Sequence, residues 1–317
     1  MAIAQLIFTI ISVLCLLYDL LLLISVIKAR TSHNKSHPFV YIVFMSVVGI
    51  IGKISYVLLL DAWPLALLLF TDKWYEEYRQ LVGKQETLLG TFSYLTPICL
   101  NFLMTIHRVW VVWSPFDTGT FSENRLVGYC SAVTMTVFAS LLIPYYSACS
   151  LNFDGRILSF VSACAPERHP ITKFENKNTL WLPMIAMLIN FAIILRMRSR
   201  RIHEAGLHSS TLPSISAVCQ KSREHVMLRQ TAFIATYISF YELGSLFIRL
   251  YPKEYGNLPK GFHNGFYFFR LSSMSSLNFF VYFLQTKSTR LLVLQFLGFR
   301  KVLPALATAV SITKHKL

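Results

Sequence analysis

Charge is scarce in this chain and acidic charge scarcest: Asp and Glu supply 15 of 317 residues, and charged side chains of both signs only 14%. With 54% hydrophobic residues and a mean hydropathy of +0.51, too little polar surface is left to coat a soluble domain of this length. The short signatures of catalysis are missing too. There is no Gly-rich phosphate loop, no CxxC or HExxH spacing and no nucleophile elbow, and the nine His are scattered mostly in loops. The sequence therefore implies no catalytic residue, no metal and no cofactor. Internal repeats and low-complexity blocks are absent as well.

What remains is apolar sequence in long runs. Crossing a hydrocarbon core takes about 20 helical residues, and seven runs are long enough: 3–27, 39–60, 88–112, 126–147, 179–195, 226–250 and 263–285. Backbone polar groups must be paired inside lipid, so the expected fold is an all-α membrane protein, a seven-transmembrane helix bundle over residues 1–285. The first run has no basic segment before it and is too long for a cleaved signal peptide, so it reads as a retained anchor. Pro97, Pro144 and Pro183 mark expected kinks.

An odd number of spans places the termini on opposite sides. With the N-terminus outside, the inner loops and tail carry eighteen of the 30 Lys and Arg and the outer loops nine, with Lys53, Arg249 and Arg270 inside spans. That bias predicts N-terminus out and C-terminus in. The net charge of +15 then reads as topology and attraction to the anionic inner leaflet rather than nucleic-acid binding. Residues 286–317 are expected to form a cytoplasmic amphipathic helix and tail, with Leu291 to Leu294 alternating with Lys287, Arg290, Arg300 and Lys301. Of the six cysteines, Cys149 and Cys164 alone fall on the oxidising side in this topology, which points to a disulfide within the second outer loop.

Ionisable groups inside a span are costly unless paired or hydrated, and Asp19, Lys53, Glu242 and Arg270 are such groups. At about 1.5 Å per residue, Lys53, Glu242 and Arg270 lie roughly 22 to 24 Å from the inner ends of their spans, and Asp19 roughly 12 Å. The first three are expected to share one layer in the outer half. Two readings stay open. In one, Glu242 and Arg270 form a structural pair while Lys53 snorkels outward; in the other, a surplus positive charge draws an anionic or strongly hydrogen-bonding small molecule, with Tyr94, Tyr237 and Tyr241 as walls.

Two motifs give the bundle a direction. The third run ends in His107-Arg108-Val109, with Asn101 two turns earlier on the same face and Pro115 in the turn that follows; the last carries Asn278-Phe279-Phe280-Val281-Tyr282. This pattern resembles the G-protein-coupled receptors, whose third helix ends in acid-Arg-aromatic and whose seventh carries Asn-Pro-x-x-Tyr. His107 stands in place of the acid, Phe279 in place of the Pro, and Gly83 where a Cys often ties the third helix to the second outer loop. Losing the acid removes the ion pair that restrains the Arg, and losing the Pro predicts a straighter helix.

With the run Met227 to Ala232, which contains Arg229, the chain is most similar to the nematode serpentine chemoreceptors of classes xa and v, in the class-gamma superfamily. The resemblance implies a chemosensory receptor in the plasma membrane of sensory cells. It binds a small molecule in the outer half of the bundle and activates a heterotrimeric G protein at the inner face, where Asn101, His107, Arg108, Pro115, Arg229, Asn278 and Tyr282 act. The alternative is a seven-span transporter or ligand-gated channel with Lys53, Glu242 and Arg270 along its path, for which repeat symmetry is expected and missing.

Overall fold

The computed structural model describes residues 2–31, 38–114, 119–207 and 215–299. Long helices dominate it: α1 (Ala2–Thr31), α2 (Pro38–Leu69), α4 (Lys84–Trp113), α5 (Glu123–Tyr145), α7 (Trp181–Leu207), α8 (Ile215–Leu250) and α10 (Lys260–Asn278). Short helices α3 (Asp72–Tyr78), α6 (Pro170–Asn178) and α9 (Pro252–Gly256) fill connections, and α11 (Lys287–Phe296) follows the last long helix. Among the described residues six helices are long and apolar enough to cross a membrane. The seventh, α10, is diluted by Arg270 and by Ser272, Ser273, Ser275 and Ser276, yet it packs against α1, α2 and α8 like its neighbours.

Several elements run beyond what hydropathy marks. Helix α2 continues through Asp61 to Leu69 with Pro64 inside it, because Asp61 is satisfied by the Thr9 hydroxyl and the Gln5 amide of α1. Pro97 and Pro144 lie inside α4 and α5, whereas Pro183 sits in the first turn of α7, where the missing N–H costs nothing. The straighter seventh helix expected from Phe279 is not formed: after Asn278 the backbone widens into a π-helical stretch over Phe279–Gln285.

The main core knits α1, α2, α4, α8 and α10 around Leu22, Met45, Leu100, Ile234 and Leu277. One end of the bundle is closed by a β-hairpin that hydropathy does not show. Strands β1 (Leu151–Asp154) and β2 (Ser159–Ser162) pair antiparallel with Leu151 opposite Ser162, and the Cys149–Cys164 disulfide lies at the base. This is called the hairpin end; Arg108 lies toward the other.

Candidate functional site

Four ionisable side chains and a group of tyrosines meet inside the bundle, but not in the layer that depth alone suggests. Lys53 leaves the layer. Its ammonium contacts the Asp19 carboxylate at 2.6 Å and turns back toward the Gly49 carbonyl at 3.4 Å, both side chains being almost fully buried at 4% and 1% exposure. Neither the outward snorkel of Lys53 nor a separate depth for Asp19 holds. Helix α1 continues past Ile27 to Thr31, which raises Asp19 to roughly 18 Å above its helix end; the flexible Lys stem covers the rest.

Asn278 completes the cluster from α10, its amide donating to Asp19 at 3.1 Å and to the Met45 carbonyl at 3.2 Å. Helices α1, α2 and α10 are thus joined through one carboxylate. The junction depends on Gly49 lacking a side chain, since a Cβ there would stand 2.6 Å from Asp19 Oδ2 and 2.7 Å from Asn278 Nδ2. Beside it lies a cavity of about 30 Å³, lined by Gly52, Lys53, Tyr56, Ser93, Tyr94, Met274 and Asn278 among others. That volume suits about two waters.

The residual layer toward the hairpin end contains Tyr94, Tyr241, Glu242 and Arg270. Tyr94 of α4 donates to the buried Glu242 carboxylate of α8 and also lines the cavity, so it touches both clusters. Glu242 and Arg270 do not pair. The Arg270 guanidinium donates to the Ser245 hydroxyl and lies 4.4 Å over the Tyr241 ring, and its Nε is buried without a hydrogen-bond partner among the described residues. Tyr237, expected as a wall, gives its hydroxyl to the Ser273 carbonyl at 2.6 Å and ties α8 to α10. Lys53 being neutralised by Asp19, the predicted surplus positive charge of the cluster is gone.

At the hairpin end, Asp154 takes Arg79 at 3.0 Å, and Arg156 bridges Asp154 and Glu76. The Asp154 carboxylate, with Glu76, holds the Arg156 guanidinium above its ordinary value. Where Gly83 stands in place of a half-cystine, hydrogen bonds make the tie instead: the Asn152 amide donates to the Arg79 carbonyl at 2.7 Å, and the Phe153 N–H to the Thr87 hydroxyl at 3.2 Å.

At the opposite end Arg108 is 5% exposed and His107 3%, so Arg108 is folded into the bundle rather than snorkelling at its edge. Phe121 stacks on the His107 ring at 4.3 Å, and the Tyr41 hydroxyl meets its Nδ1 at 3.3 Å. Asn101 is fully buried and neither side-chain amide atom has a hydrogen-bond partner among the described residues, although its backbone carbonyl accepts from the Thr105 hydroxyl. Tyr282 is buried and its hydroxyl likewise lacks a hydrogen-bond partner among the described residues. Pro115 and the Arg229 side chain lie outside the described residues. Sequence reasoning missed Asp19 as the partner of Lys53 and Ser245 as that of Arg270; the spacing of neither pair could reveal a contact across helices.

Residues 36–191, from α2 into α7, match the family described as Caenorhabditis serpentine receptor-like protein, class xa. A curated relative, serpentine receptor class XA 10 of Caenorhabditis elegans, is 32% identical over 298 residues, covering 89% of this chain and 87% of the relative. The chain belongs to the serpentine receptor class xa family. It is thus a multi-pass membrane protein of a receptor family.

Proposed function

We propose that this class xa protein is a G-protein-coupled chemosensory receptor of the plasma membrane of sensory cells, with the hairpin end outside and the Arg108 end facing the cytosol. The orientation is supported by the Lys and Arg bias of the loops and by a disulfide at the hairpin end, which suits the oxidising compartment. The observation that carries the reading is the Tyr94 contact. One tyrosine joins the Glu242 layer to the cavity beside the Asp19–Lys53–Asn278 junction, so a molecule bound near Arg270 and Tyr241 meets a side chain that also borders the helix-joining cluster.

The ligand is a small molecule held by Tyr94, Tyr241, Glu242 and Arg270, with Lys53 at its edge. Its anionic group belongs on Arg270, since Lys53 already carries Asp19. Ligand that prefers an opened bundle shifts the population toward it. Opening moves Phe121 off His107 and frees Arg108 for the G protein, assisted by Asn101, Arg229, Asn278 and Tyr282. The test expresses the chain with a glycosylation-acceptor tag at each terminus and a G-protein activation readout. Modification of the N-terminal tag alone, with coupling lost in Arg108→Ala at unchanged surface expression, supports the reading. Modification of the C-terminal tag turns Arg108 outward and refutes it.

A further inference from the structure

At the hairpin end the strand β1 packs against α10 beside Arg270. Phe153 of β1 is 2% exposed and packs with Phe8 of α1, Leu59 and Leu60 of α2, and Phe268 and Leu271 of α10. Its strand is anchored by Phe153 N–H to Thr87, by Gly155 N–H to the Tyr75 hydroxyl at 2.7 Å and by the Asp154–Arg79 ion pair. A bulky solute arriving at this end meets the packed hairpin first.

The side of the bundle offers another way in. Both contacts of Arg270 lie on α8, so its guanidinium spans the α8–α10 seam. The residues just before Tyr241 and Arg270, Phe240 and Phe269, are 71% and 70% exposed and present rings to the lipid side of these helices. Gly244 lets the two helices meet closely at the seam: a Cβ there would lie 3.2 Å from the Phe266 ring and 3.8 Å from the Arg270 stem, so a larger side chain would displace both. No carboxylate among the described residues pairs with Arg270. A guanidinium is a rigid fork of donors matched to an oxyanion, and its attraction to an acid strengthens as the surroundings lose water.

We infer that Arg270 is the head site for a membrane-dissolved amphiphile carrying a single acid group, which enters from the bilayer through the α8–α10 seam with its chain along Phe240 and Phe269. This rests on the ligand layer placed above. It deepens that reading by naming the ligand class and the route.

The full chain in zwitterionic nanodiscs, carrying Phe269→Trp as a reporter, is titrated with dodecanoate brominated along its chain. Brominated dodecanol serves as the uncharged comparison and acetate as a water-soluble competitor. Quenching is read as the difference from the chain without the reporter. Expected is saturable quenching by the carboxylate at a membrane mole fraction at least tenfold below that of the alcohol. Arg270→Met removes that preference, Arg270→Lys keeps part of it, and Gly244→Leu raises the half-saturating fraction at least tenfold. Added empty lipid raises the total probe required in proportion.

Equal quenching by acid and alcohol overturns the inference, as does a preference that survives Arg270→Met in a chain whose melting is unchanged. Acetate competing as well as dodecanoate overturns the bilayer route. The readout needs no G protein: a chain that binds but does not couple sinks the receptor reading alone, and one that couples without acid preference sinks only this one.

Discussion

The two buried ionisable clusters solve the same physical problem in opposite ways. In the first, Asp19 and Lys53 neutralise each other and Asn278 donates to the same carboxylate oxygen as Lys53, which ties three helices together. In the second, Arg270 is shared between a hydroxyl and a ring face with no described carboxylate beside it, while Glu242 is held by a tyrosine. An internally compensated cluster belongs to the scaffold. An under-compensated one, in the same low-dielectric interior, retains capacity for a partner from outside.

The comparison breaks most sharply at Lys53. Lys53→Met leaves the Asp19 charge buried without its ammonium and is expected to cost about 3 to 5 kcal/mol, read as loss of folded receptor by fluorescence-detected size exclusion. Adding Asp19→Asn should restore most of it; failure of the double variant to recover would show the pair not to be the cause. Removing the hairpin disulfide by Cys149→Ser with Cys164→Ser frees a loop closed over 15 positions. About 3 kcal/mol is expected, seen as a lower midpoint of thermal unfolding in detergent.

Smaller in size is Gly49→Ala, whose new Cβ pushes Asp19 away from Asn278 and should cost about 1 to 3 kcal/mol by overpacking, measured by the same melt. Arg270→Met sharpens the contrast from the other side. It should change stability by less than about 1 kcal/mol while abolishing the ligand response, because losing the contacts with Ser245 and Tyr241 is offset by no longer holding an uncompensated charge away from water. A large loss of stability there would make the second cluster structural as well.

Much of the architecture was legible along the chain, and the reasons are local. Runs such as Leu88 to Val112 can only be buried or lie in lipid, and polar backbone in lipid must be helical. The His107-Arg108 and Asn278-to-Tyr282 segments pointed to the serpentine receptors, and the relatives show that family. Harder to read was α10, whose serines and Arg270 lower its hydropathy although it packs like the others. The π-helical stretch after Asn278 was illegible too, because Phe279 has no local reason to leave α geometry.

By itself the sequence determined the class of the protein, the set of apolar helices and the identity of the four ionisable groups that had to be accommodated among them. Only the tertiary structure decided which groups meet. Contacts between helices depend on axial shift and rotation, quantities that spacing within one helix does not contain, and a Lys stem can reach up or down its helix at similar cost. Hence Lys53 found Asp19 rather than its own depth-mates, Gly49 became the clearance that contact requires, and Phe153 of the hairpin came to pack with Phe268 and Leu271 beside Arg270.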